Sequence, residues 1–127
     1  MLHFRRHLIA LLACLMTTWV CAQELPLPKE IKGRYAALGT TSGQIFSLSD
    51  ITQRPDSTFA AKLTWWTSQA SCTVRSAPIT GRVTPTGIAF DAATNCGVAF
   101  SIELNRQEKG WVGKGSTAMF ALEIKVD

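Results

Sequence analysis

Past position 22 the sequence contains no histidine. His3 and His7 are the only two in the chain. Without an imidazole, a Ser-His-Asp triad, a Cys-His pair and a histidine-held metal are excluded from the remaining residues. Cysteine is almost as scarce: Cys14 and Cys21 lie near the N-terminus, which leaves Cys72 and Cys96. Tyrosine occurs once, at Tyr35, and charged residues make up only 17% of the chain. No convincing amphipathic helical spacing is present, and no internal repeat or low-complexity tract. Gly110, Gly113 and Gly115 lie near a lysine but lack the spacing of a phosphate-cradling loop, and no calcium-loop pattern occurs. Neither Asn95 nor Asn105 begins a glycosylation sequon.

The one long apolar run, residues 8–20, follows Arg5 and Arg6 and precedes Val20-Cys21-Ala22. A positive start, a short apolar core and small residues before Gln23 read as a secretory signal peptide over residues 1–22. The run is short for a membrane span, which needs about 20 apolar residues. An uncleaved anchor is the rival, and a lipoprotein cut at Cys21 or Cys14 matches the flanking residues poorly. Arg5-Arg6 matches twin-arginine export only weakly. Cleavage removes both histidines, two cysteines and two arginines. The remaining 11 basic residues face 9 acidic ones, so the net charge falls from +4 to +2. That balance gives no argument for nucleic acid or an anionic membrane as partner, and no membrane span is expected after cleavage.

Two cysteines in an exported chain are expected to form one disulfide, Cys72–Cys96. They lie 24 positions apart, and closing a loop of that length is worth about 3.5 kcal/mol. Two buried unpaired thiols are the alternative. If the bridge forms, no thiolate nucleophile is left.

What fills the rest is alternation. Phe59, Ala61, Leu63 and Trp65 fall on one side of a period-two pattern, with Ala60, Lys62, Thr64 and Trp66 opposite. Val98, Phe100, Ile102 and Leu104 repeat it, and so do Phe120, Leu122, Ile124 and Val126. Period two is the spacing of half-buried β-strands. Shorter strands are expected at 34–38, 44–48, 72–77, 79–84, 88–90 and 111–116. The turns read at 40–43, 50–57, 85–87, 91–95 and 105–110 are rich in Gly, Pro, Asn and Asp. Residues 23–32, with Pro26 and Pro28, read as an extended lead-in, and 33–127 as a single all-β domain. Gly113 and Gly115 within a strand mark a bend, a bulge or a close backbone approach. About eight short strands with hairpin-length connections predict a small antiparallel up-and-down β-barrel, with a β-sandwich as the alternative. The order of strand, glycine and aromatic signals resembles, in outline, that of avidin-type and other calycin barrels. The resemblance is one of pattern and carries over no binding residue.

Candidate binding residues follow from the alternation. Trp66 shares its face with Lys62 and Thr64, so it is placed outside as a platform for a sugar ring or a partner side chain. Trp111 plugs the barrel end or rims a pocket. Tyr35 offers a hydroxyl to a ligand or to the core. Arg75 and Arg82, on neighbouring strands, form an anion site or solvated surface. No cofactor, metal or catalytic residue is expected. The leading expectation is an exported, non-catalytic barrel that binds a small molecule or glycan, in a Gram-negative periplasm or secreted. The alternative is a protein-interaction module, such as a hydrolase inhibitor or envelope-assembly component, using Trp66 and the loops 40–43 and 105–110. A third reading is a carboxylate-dependent hydrolase drawing on two of Asp50, Asp56, Asp91, Glu103 and Glu108.

Overall fold

Alternation along each segment is what closes this chain on itself. The computed structural model describes residues 26–40 and 43–127. The signal peptide read over 1–22, the start of the lead-in and two residues of the 40–43 turn lie outside the described residues. Eight strands follow in order: β1 (Ile31–Ala37), β2 (Gln44–Gln53), β3 (Thr58–Trp65), β4 (Val74–Val83), β5 (Gly87–Ala93), β6 (Ala99–Gln107), β7 (Gly110–Thr117) and β8 (Ala121–Val126). Each is antiparallel to the next, and β8 returns to pair with β1, so the sheet is a closed up-and-down barrel. Among the described residues there is no helix.

The inward set is the apolar set. Phe46, Leu48, Phe59, Leu63, Ile88, Leu104 and Ile124 are the largest fully buried apolar side chains, and they occupy the barrel axis. Burying each such side chain stabilises the fold by about 1.5–3 kcal/mol. On β7 the inward positions beside them are Gly113 and Gly115. A Cβ at Gly113 would stand 2.5 Å from Leu104 Cδ2 and 2.9 Å from Ile124 Cβ. The close approach expected of these glycines is therefore real, and Leu104 and Ile124 fill the space that a side chain on β7 would need. Gly113→Val should overpack this region and cost about 1–3 kcal/mol in urea unfolding. An unchanged midpoint would mean that the wall has slack at β7.

Several boundaries differ from the sequence reading. β1 begins at Ile31, inside the stretch read as lead-in. β6 runs to Gln107 and β7 starts at Gly110, so most of the turn read at 105–110 is strand. Three further differences have a physical reason. First, the strands expected at 72–77 and 79–84 are one strand, β4, which runs through Pro78. Val83 donates its N–H to Ser57 on the β3 side. By alternation the missing N–H of Pro78 then faces β5, where β4 makes no ladder bond at that level. Second, β2 continues to Gln53 past a bulge between Ser49 and Thr52, where Asp50 takes a φ of 52°. The bulge turns Ile51 inward and frees its N–H to bond Lys29 O at 3.1 Å. Third, Asp91, Ala92 and Ala93, read as loop, extend β5.

Alternating strand direction gathers the turns 38–43, 66–73, 94–98 and 118–120 at one end of the barrel, and 54–57, 84–86 and 108–109 at the other. The lead-in covers that second end, the base. Leu27 packs against the core, and Arg106 Nη2 donates to Pro26 O at 2.6 Å.

One junction in the wall is incomplete. β6 and β7 share eight residue pairs. β4 and β5 share two, Arg82–Ala89 and Val83–Ile88. Near the loop end this seam is tied again. Cys72 and Cys96 are joined with an S–S distance of 2.00 Å, Thr73 N donates to Asn95 Oδ1 at 2.9 Å, and Asn95 N donates to Thr73 O at 3.0 Å.

Candidate functional site at the loop end of the barrel

The four turns at the loop end contain no Asp, Glu, Lys or Arg. They carry apolar side chains instead. Leu38, Trp66, Val98, Met119 and Phe120 are exposed there, and Ile45 stands beside them at the start of β2. Of the exposed large apolar residues described, only Val112 lies elsewhere. Met119 is 82% exposed and Phe120 58%. Exposed apolar surface gathered in one place, rather than scattered singly, is the mark of a binding region.

Beneath this rim lies a packed aromatic floor. The Trp65 ring stacks on Tyr35 at 3.7 Å between centroids and on Phe100 at 4.4 Å, nearly parallel to both. The Tyr35 hydroxyl donates to the backbone carbonyl of Trp66, which fixes the start of the β3–β4 turn. Burial pushes the Tyr35 hydroxyl up to about 12 from its ordinary 10. The folded state therefore holds this proton more tightly than the unfolded chain. Its contribution to stability is complete below pH about 10 and is lost as the pH rises to about 12. Chemical denaturation across that range should show the loss in the native protein and not in Tyr35→Phe. The same loss in both would place its origin elsewhere.

Between the turns 94–98 and 118–120 lies an open depression of about 870 Å³. Val98, Phe100, Met119 and Phe120 form its apolar part, and Asp91, Ser101 and Ser116 its lower lip. The same three residues border a second depression of about 450 Å³ on the outer wall, which Arg82, Ala89, Glu103 and Lys114 also line.

The structure separates the residues that sequence reasoning singled out. Trp66 is exposed, and the Arg75 guanidinium lies 5.7 Å from its ring centre. Those two are together at the loop end. Tyr35 is under them, in the core. Lys62 is on the outer wall and pairs with Asp50 at 3.5 Å, an exposed pair worth at most about 1 kcal/mol. Trp111 is at the base, half-buried against the core, with Arg106 5.0 Å from its ring. Arg82 lies at the hairpin end of the seam. Of the two loops read as a contact surface, the described residues Thr40 and Gly43 are at the loop end, whereas 105–110 is at the base and is mostly strand.

Among the carboxylates, Glu103 pairs with Lys114 at 3.7 Å. Asp56 accepts hydrogen bonds from Thr58 Oγ1 and N, and the hydroxyl bond first of all holds its carboxyl below the ordinary range. A general acid needs the opposite shift.

Sequence reading missed Met119 and Phe120. It put Phe120 on the inward face with Leu122 and Ile124, but Phe120 sits in the turn before β8 and points to solvent. The available signal was the lack of charge in every second turn.

No protein-family model matches this chain, and no curated protein or solved structure matches it either. Fold and site together define a small closed β-barrel with an apolar loop end.

Proposed function

We propose that this chain is an exported, non-catalytic β-barrel binding protein that holds its ligand at the loop end. The observation that carries this reading is the concentration of exposed apolar side chains on four uncharged turns, around an open depression of about 870 Å³. Small-molecule sites are concave, mostly apolar and of about 300–1,000 Å³. The axis is occupied by Phe46, Phe59, Leu48 and their neighbours, which favours an exposed rim rather than the lumen as the seat. The disulfide and the signal-like N-terminus support an oxidising compartment, the periplasm or the exterior. The absence of histidine after residue 22 supports binding over catalysis.

Native mass spectrometry of protein released gently from the exported fraction tests this. A discrete extra mass is expected, and it should be lost in Met119→Ser/Phe120→Ser at an unchanged melting temperature. A mass that persists in the double variant would remove the loop end from the account.

A second reading, a protein partner at the same end, is favoured by Trp66 with Arg75 over its ring, residue types that anchor protein interfaces. Under it, Trp66→Ala would abolish binding of the partner protein while leaving any small-ligand mass in place.

A further inference from the structure

The two depressions adjoin on the outer wall, where both are bordered by Asp91, Ser101 and Ser116. Together they form a groove over β5, β6 and β7, with an uncharged apolar upper part and a charged lower part. In the lower part Lys114 and Glu103 pair with each other. Arg82 and Asp91 line the same part, and neither is in a salt bridge among the described residues.

Their position follows from the seam. Arg82 pairs with Ala89, and Asp91 is two residues further along β5, where the ladder to β4 has ended. Val83 N–H points to β3, so Arg82 and Ala89 face each other with their backbone groups. Asp91 shares the phase of Ala89. Its N–H and C=O therefore point toward β4 at a level where the ladder gives them no partner. The small side chain of Ala89 lies between Arg82 on one side and Glu103 on the other and leaves the floor low. One uncommitted cation, one uncommitted anion and a free backbone donor thus stand below an apolar seat.

We propose that this groove binds a zwitterionic single-chain amphiphile. Its chain lies on Val98, Met119 and Phe120. Its anionic group meets Arg82 and the Asp91 N–H, and its cationic group meets the Asp91 carboxylate. This rests on the reading of the loop end as a ligand seat and names the class of ligand. Charge complementarity argues for it: the apolar part has no ionic partner to offer, and the lower part offers one of each sign. A purely anionic or purely cationic head would leave Asp91 or Arg82 facing a like charge.

The test is titration of the whole exported protein with dodecylphosphocholine below its micelle concentration, followed by calorimetry and by amide chemical shifts. Dodecyl maltoside, dodecyl sulfate and phosphocholine without a tail serve as comparisons. Dodecylphosphocholine is expected to bind about tenfold tighter than either other detergent, the scale of one charge-assisted hydrogen bond. Shifts are expected at Asp91, Ser101, Met119 and Phe120. Arg82→Gln and Asp91→Asn should each erase the preference among heads while leaving binding of dodecyl maltoside unchanged. Equal affinity for all three detergents overturns the assignment of the head, as does binding to phosphatidylcholine vesicles without any binding of monomers. The shift map is read on the native chain, so it stands if a variant fails to fold. If no detergent binds but the gently released protein still carries a mass that Met119→Ser/Phe120→Ser removes, this inference fails and the loop-end reading survives.

Discussion

Trp65→Ala is expected to lower the unfolding free energy by about 3–5 kcal/mol, the range for removing a large aromatic side chain from a packed interior. Trp65 is 3% exposed. Its ring lies between Tyr35 and Phe100, with Phe46 tilted against it at 5.8 Å. Deletion would therefore remove two stacked contacts, each worth about 0.5–1.5 kcal/mol beyond the area buried, and leave a void under the turns that form the site. Domains of this size have about 5–15 kcal/mol in total, so the variant should be marginal at body temperature. Trp65→Phe keeps one ring in place and should cost markedly less. Urea unfolding of the three proteins decides it. A loss below about 1 kcal/mol for the alanine variant would mean that the ring is not a packed part of the floor.

Removing the disulfide is expected to cost a comparable amount, about 3.5 kcal/mol for a loop of this length in the chain-entropy account. Its place in the wall sharpens the expectation. The bridge and the Thr73–Asn95 bonds tie the end of the seam that the two-pair ladder of β4 and β5 leaves open. In Cys72→Ser/Cys96→Ser, hydrogen exchange should therefore rise first at Thr73, Asn95 and the unpaired parts of β4 and β5. Amides shared by β2 and β3, which pair over a long register, should stay protected. A uniform rise over the whole barrel would show that the bridge acts only through the unfolded chain.

Much of this was legible in the residues. Period-two alternation at 59–65 and 100–104 gave strands with the right faces, because one side of each must leave water, whereas Val98, read on the same face, lies exposed in the turn before β6. Short polar connections then favoured a barrel over a sandwich. Cys72 and Cys96 were legible as a pair because nothing else after residue 22 competes for them. Pro78 misled, since a proline usually ends a strand. Whether a strand can keep it depends on which neighbour its missing N–H faces, and that is a property of the assembled sheet. Phe120 misled for a related reason: alternation cannot say where the last inward residue of a strand ends and the turn begins. The candidate residues were individually reasonable, but closure of the barrel sent Trp111 and Trp66 to opposite ends. The sequence shows that these turns are uncharged, but only the topology shows that they lie at one end and that their apolar residues share one rim.

We propose the uncharged loop end as the working surface of this barrel. The most direct test compares amide spectra of the gently released protein with those of the same protein stripped of anything bound by unfolding and refolding. Differences are expected to be confined to residues 97–101, 117–120 and their neighbours. Differences confined to the base, at 54–57 and 108–111, would contradict it.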